Sequence, residues 1–270
     1  MIGVIGCGTM AQAIVKGFYK KNNQVKFLTY TPSYTRAEEL AMAVNGQAAK
    51  DLSDFENVDV IVIGCKPQQL STLAYDLAKL KIDLKNKHII SILAATPIET
   101  IQTKLNVLKV TRVMPNTPAL IGMGMSLIIH SKDVVDHEKK LVQDFFISCG
   151  ETAEMPNETL FDQVTTVSGS GPAYVFLFAQ TMADKLEKWG MSKNEAKKIA
   201  IQLFRGSSEL MVEQRELSFE ELIANVTSKG GVTIEAVKSF QKNEINNLTS
   251  KALDAAYNRS LEIEKELKKS

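Results

Sequence analysis

The sequence predicts an α/β domain built on a parallel sheet, followed by an all-α domain. Short β-branched runs alternate with amphipathic stretches from Met1 to about Met155, the runs stop after Asn157, and apolar residues then recur at helical spacing. The boundary near residues 150–160 is expected as a compact hinge, dividing the chain into 1–155 and 156–270. There is no internal repeat, low-complexity segment or long linker.

In order along the first domain, strands are expected at Ile2 to Ile5, Val25 to Tyr30, Val58 to Gly64, His88 to Leu93, Val110 to Met114 and Met125 to Ile129. Several are apolar throughout, as strands covered on both faces are. Gln12 to Lys20, Thr35 to Val44, Leu70 to Leu80 and Asp136 to Phe146 carry the helical periodicity between them. In the second domain the same period marks Ala173 to Trp189, Lys193 to Glu213, Ile234 to Gln241 and Leu248 to Leu267.

Composition narrows the function classes. With 32 basic and 31 acidic residues in 270, the net charge of +1 offers no general attraction to nucleic acid or an anionic membrane. Cys7, Cys65 and Cys149 are odd in number and widely spaced, which suggests neither a disulfide framework nor a metal site. With no run of about 18 apolar residues and no signal-peptide pattern, a soluble cytoplasmic protein is expected.

Gly6-Cys7-Gly8-Thr9-Met10-Ala11 lies between the first strand and the first helix, the context in which a GxGxxG/A pattern reads as a Rossmann dinucleotide fingerprint. Gly6 permits the tight turn, Gly8 lets a pyrophosphate approach the backbone, and Ala11 lets helix and strand pack closely. The N–H groups of Thr9 and Met10 fall at the helix start, where an anion is favoured.

The second strand ends Thr29-Tyr30-Thr31-Pro32-Ser33-Tyr34-Thr35-Arg36, without the acid that accepts from a ribose 2′-hydroxyl in NAD enzymes. Thr31, Ser33 and Arg36 are placed as donors to a 2′-phosphate, which predicts NADPH over NADH. Lys66 and Pro67 follow a strand at the carboxyl edge where such sheets bind ligands, so Lys66 is a candidate for the nicotinamide side. Met114 and Asn116, in Met114-Pro115-Asn116-Thr117-Pro118, are candidates from the next such edge.

Two further stretches exceed what a core requires. Ser168-Gly169-Ser170-Gly171-Pro172-Ala173-Tyr174 enters the second domain, with Pro172 suited to a first helical turn. Thr227-Ser228-Lys229-Gly230-Gly231-Val232-Thr233 places two glycines among hydroxyl residues before a helix.

Together the fingerprint, MPNTP, SGSGPAY and TSKGGVT resemble, in order and spacing, the pyrroline-5-carboxylate reductase family over essentially the whole chain. The resemblance implies a Rossmann domain and an all-helical dimerisation domain with interleaved helices, often in a ring of five dimers. It implies NAD(P)H-dependent reduction of 1-pyrroline-5-carboxylate to L-proline, at a site near the dimer interface. It also implies that Ser228 and Thr233, with the backbone of Gly230, Gly231 and Val232, hold the substrate carboxylate, and that Thr233 lies near the ring nitrogen. No metal is called for.

His88, His130 and His137 lie outside these loops, so the proton is expected from solvent or through Thr233. Where the family loop reads SPGGTT, Lys229 and Val232 differ here, and Asp51 stands where relatives often place an asparagine against the adenosine ribose. Three alternatives stay open. A two-domain β-hydroxyacid dehydrogenase would need a lysine early in the helix after Pro172, where none occurs before Lys185. The others are a catalytically silent NADPH-binding regulator and a reductase of another cyclic imino acid, since one methylene is worth only about 1–3 kcal/mol of discrimination.

Overall fold

The first apolar run becomes β1 (Ile2–Ile5), every residue of which is buried. The computed structural model describes residues 1–269. β1 leads into α1 (Thr9–Lys21), whose buried residues Ala11, Ile14, Val15 and Phe18 form one helical stripe. Then come β2 (Phe27–Tyr30), α2 (Thr35–Ala43), β3 (Gln47–Ala48), β4 (Val60–Ile63), α3 (Leu70–Lys79), β5 (His88–Ser91), α4 (Ile98–Leu105), β6 (Lys109–Met114), β7 (Gly124–His130), α5 (Asp136–Ile147), β8 (Gly150–Glu154) and α6 (Glu158–Ser168).

Among the described residues the eight strands form one sheet in the order β3-β2-β1-β4-β5-β6-β7-β8. Only the β6–β7 pair is antiparallel. The order reverses between β1 and β4, the switch point at which doubly wound sheets open a crevice at their carboxyl edge. One apolar layer gathers α1, α2 and α5 through Ile14, Phe18, Leu40, Phe145 and Phe146. The other gathers α3, α4 and α6 through Leu70, Leu73, Ile101 and Phe161, with Leu52 and Phe55 from the turn before β4.

The sequence expectation misses β3, β8, α4 and α6. β3 is two residues long, β8 reads GETAE with little apolar content, and α4 is only eight residues, too short to declare a period. α6 is bound to the sheet by a buried cation. Arg112 of β6 is 2% exposed, pairs with Glu158 and with Asp162 at 2.9 Å, and stacks 4.5 Å from the Phe161 ring centre. Glu158 also accepts from the Ile98 N–H at 3.0 Å, so it caps α4 as well.

The chain forms two compact units, one of Met1–Ser170 with the C-terminal segment from Ala256, the other Gly171–Ala255. The second contains α7 (Gly171–Lys188), α8 (Lys193–Glu213), α9 (Phe219–Asn225), α10 (Val232–Lys242) and the start of α11 (Ile245–Lys269). α9, seven residues long, is the fifth element that the periodicity did not mark. Pro172 takes the second position of α7, where its missing N–H leaves no bond unmade. Within this unit only Ala196 and Ala200 are buried, while Phe176, Leu177, Ile201, Val212, Phe219 and Leu248 are exposed. A helical unit with so little core of its own has its apolar faces left for another surface.

Candidate active site

A crevice of about 440 Å³ opens at the carboxyl ends of β1, β2 and β4. Six of the residues expected to bind cofactor line it: Gly6, Gly8, Thr31, Ser33, Arg36 and Lys66. Thr9, Met10 and Ala11 form the adjoining first turn of α1, and Pro67 opens the short turn after Lys66. Met114 and Asn116 are not among the lining residues.

Each glycine of the fingerprint has its own reason. Gly6 has φ of 93°, and a Cβ there would lie 2.4 Å from the Cys65 nitrogen. At Gly64, a Cβ would meet the Gly6 carbonyl oxygen at 2.8 Å and the Ala11 Cβ at 3.1 Å, so helix and strand close tightly around that pair. Gly8 differs: φ is −70° and an added Cβ meets nothing within 4 Å. The fold does not need a glycine at position 8, whereas a pyrophosphate seated on the first turn of α1 does. The residues present therefore fit a dinucleotide.

At the end of β2, the Thr31 and Ser33 hydroxyls lie 3.5 Å apart, and the Tyr34 N–H donates to the Thr31 carbonyl, closing the turn that presents Arg36. The Arg36 guanidinium has no carboxylate partner among the described residues, and it lines the crevice beside Ser33. Lys66 stands at the start of the turn after β4, where its N–H donates to Gln69 Oε1 at 2.9 Å. Cys7 and Cys65 also line the crevice, but burial pushes their thiols up to about 12 and about 11, so neither is a thiolate nucleophile.

Met114 and Asn116 serve the frame around the end of β6. The Asn116 carboxamide donates to the Ser168 carbonyl at 3.0 Å and accepts from the Met125 N–H at 2.9 Å. Met114 packs its Cε toward Gly169. Asp51 is an N-cap whose carboxylate accepts from the Ser53 N–H at 2.8 Å, a bond that holds its pKa below the usual carboxylate value. His88 and His130 share the Thr111 hydroxyl at 2.8 Å each, at the edge of the sheet where β5 begins, away from the crevice.

In the second unit, the glycine pair before α10 has local causes. Gly230 has φ of 75°, and a Cβ on Gly231 would meet the Ser228 hydroxyl at 2.3 Å. The Gly231 N–H donates to the Ser228 carbonyl at 3.0 Å and closes the turn, so this donor, which the sequence offered to a ligand, has an internal partner. Gly231 takes the N-cap position, which leaves Thr233 inside the first turn and not as the cap. The side chains of Ser228, Val232 and Thr233 are exposed.

Comparison with known proteins draws both units together. Residues 158–263 match the family model described as pyrroline-5-carboxylate reductase dimerisation, and residues 1–95 match NADP oxidoreductase, coenzyme F420-dependent. Pyrroline-5-carboxylate reductase of Vibrio alginolyticus is 33% identical over 98% of this chain and 97% of its own, and that of Synechocystis is 34% identical over 98% of both.

The chain belongs to the pyrroline-5-carboxylate reductase family.

Solved members of the family share the fold across nearly the whole length. The Plasmodium falciparum reductase, crystallised with NADP bound, superposes with a TM-score of 0.81 at 29% identity, covering 97% of each chain. The Coxiella burnetii reductase gives 0.85 at 27% identity, covering 98% of this chain and 97% of its own. The exposed apolar faces of α7 to α10 lie in the segment that matches the dimerisation model, and this reductase is a homo-oligomer through it.

Sequence reasoning missed Gly64, Tyr30, Leu52, Gln69, Thr72, Leu73 and Asp76 as crevice residues. The last four sit at the spacing of one helical face, a signal that was present but indistinguishable from ordinary amphipathicity.

Proposed function

We propose that this reductase converts 1-pyrroline-5-carboxylate to L-proline with NADPH as reductant, the final step of proline biosynthesis. The observation that carries the reading is the convergence of Gly6, Gly8, Thr31, Ser33, Arg36 and Lys66 on one crevice, in a chain whose family is shown over nearly its full length. When bound, the reduced nicotinamide supplies the hydride that adds to the imine carbon.

The protein's part is position and charge. The first turn of α1, with Gly8 and the N–H groups of Thr9 and Met10, binds the pyrophosphate, and Ala11 keeps that helix close to the sheet. Thr31, Ser33 and Arg36 hold the 2′-phosphate, a charge that the single carboxylate of an NAD-type site would repel. Lys66 and Pro67 border the nicotinamide side, with Met114 and Asn116 shaping the frame beyond. Ser228 and Thr233 hold the substrate carboxylate with the backbone of Gly230, Gly231 and Val232, the Gly231 N–H acting by keeping the turn closed. Thr233 also stands by the ring nitrogen, to relay or orient the proton from solvent.

In this reading 1–155 is the cofactor domain and 156–270 the dimerisation and substrate domain, with the active site near the interface of a cytoplasmic homodimer. Five such dimers form the ring. NADH is the weaker alternative reductant.

The experiment is oxidation of NADPH and, separately, NADH with 1-pyrroline-5-carboxylate, with the product identified. Turnover to proline, faster with NADPH at limiting cofactor, is expected. Absence of proline despite NADPH binding would turn the assignment to another cyclic imino acid or to a silent NADPH-binding regulator.

A further inference from the structure

The crevice contains a carboxylate to which no role has been given. Gln69, Thr72, Leu73 and Asp76 follow one another at the spacing of a single helical face, and all four line the cavity. Near them it is walled by Tyr30 and Leu52, which with Leu73 belong to the apolar layer under the sheet. The Tyr30 ring is fixed edge-on to Phe55, with centres 6.4 Å apart. An apolar wall of that kind suits a planar base.

Asp76 borders this wall. Its carboxylate has no hydrogen bond or ion pair among the described residues. It lies close enough to Tyr30 to act on the phenol, whose pKa is raised first by burial, then by Asp51 and by Asp76. Half-buried and unpaired, this carboxylate repels the phosphates of a dinucleotide and suits a hydrogen-bond donor elsewhere on the ligand. α3 starts beside Gln69 and Lys66, and Asp76 lies six residues beyond Leu70, roughly 9 Å along the axis. That displacement carries it away from Lys66 on the nicotinamide side, and its reach to Tyr30, the chain neighbour of Thr31 among the 2′-phosphate donors, sets it by the adenosine end of the ligand.

We propose that Asp76 reads the base of the dinucleotide, accepting a hydrogen bond from the exocyclic 6-amino group of adenine while Tyr30, Leu52 and Leu73 cover the ring. The assignment rests on the reading of the crevice as an NADPH site. It makes Asp76 a specificity-determining residue, and it explains why a site built for a trianionic end of a cofactor keeps a free negative charge.

The test is calorimetric titration of the full-length protein with NADP⁺ and with its hypoxanthine analogue, in which a 6-oxo group replaces the 6-amino group. The wild type is expected to bind NADP⁺ about tenfold or more tightly than the analogue, because the oxo group leaves the carboxylate facing an acceptor. Asp76→Asn should narrow or invert that ratio, since a carboxamide can donate to the oxo group, and Asp76→Ala should abolish it. Equal binding of both ligands by the wild type would overturn the proposal. So would equal weakening of both by Asp76→Asn, which would place the carboxylate on the ribose. A wild type that binds neither ligand would overturn the NADPH reading itself, and the base assignment with it.

Discussion

Gly6 and Gly64 meet backbone to backbone at the ends of β1 and β4, so close that a Cβ on Gly6 would lie 2.6 Å from the Gly64 carbonyl carbon. Gly6 also holds a left-handed φ of 93°, while Gly8, two residues on, has an ordinary φ and open space around it. The two glycines should therefore fail in different ways. Gly6→Ala is expected to lower stability by more than about 2 kcal/mol, from left-handed strain plus the clash. Gly8→Ala should leave thermal unfolding unchanged and weaken NADP⁺ binding, which paired melting and binding curves would separate. Loss of stability in Gly8→Ala would remove the argument that a ligand requires this glycine.

Arg36 is the charged member of the expected 2′-phosphate site. Replacing it with alanine should weaken NADPH about tenfold to a hundredfold, the worth of a charge-assisted contact, and leave NADH unaffected. Equal losses with both cofactors, read from kcat/KM for each, would refute a role toward the phosphate.

Thr233 is in the first turn of α10, and Gly231 caps that helix without it. Thr233→Ala should accordingly spare folding and NADPH binding while lowering kcat/KM for 1-pyrroline-5-carboxylate at least about tenfold. Unchanged steady-state kinetics would take this residue out of the site.

Arg112 holds α6 to the sheet through two carboxylates that it leaves unpaired if removed. Arg112→Met is expected to cost about 3–5 kcal/mol of stability, the range for breaking a buried pair. Adding Glu158→Gln and Asp162→Asn should recover part of the loss, because the uncompensated charges go with them. Burial acts first on Asp162 and raises its pKa despite the arginine, which fits a carboxylate held in place at a desolvation cost.

His88 is 1% exposed, and burial lowers its pKa to about 4. An unfolded histidine takes up a proton near pH 6.5, whereas the folded one stays neutral until about pH 4. The unfolded state thus binds more protons across that window, and stability falls as pH drops from 6.5 to 4, by up to about 3 kcal/mol. Denaturant titrations of wild type and His88→Gln over this range should show a shallower slope for the variant. Parallel slopes would mean that other groups control the acid limb.

Much of this was legible in the residues themselves. The fingerprint, the missing acid after Tyr30, and the change from β-branched runs to helical periodicity are local properties, set by what a strand, a turn and a helix each require of the chain. They determined the α/β-then-all-α architecture and the family, and they raised the expectation of a dinucleotide site at the first strand-to-helix turn. Tertiary structure decided what depends on distant segments meeting. It attached α6 to the sheet through Arg112, paired Gly6 with Gly64, and turned Asn116 into a brace between Ser168 and Met125. It also brought Asp76 to a crevice whose fingerprint lies some 70 residues earlier in the chain. A carboxylate on an amphipathic helix reads as solvated surface until the sheet order places that helix beside the switch point. Periodicity specifies which face a residue is on, and only packing specifies what that face meets.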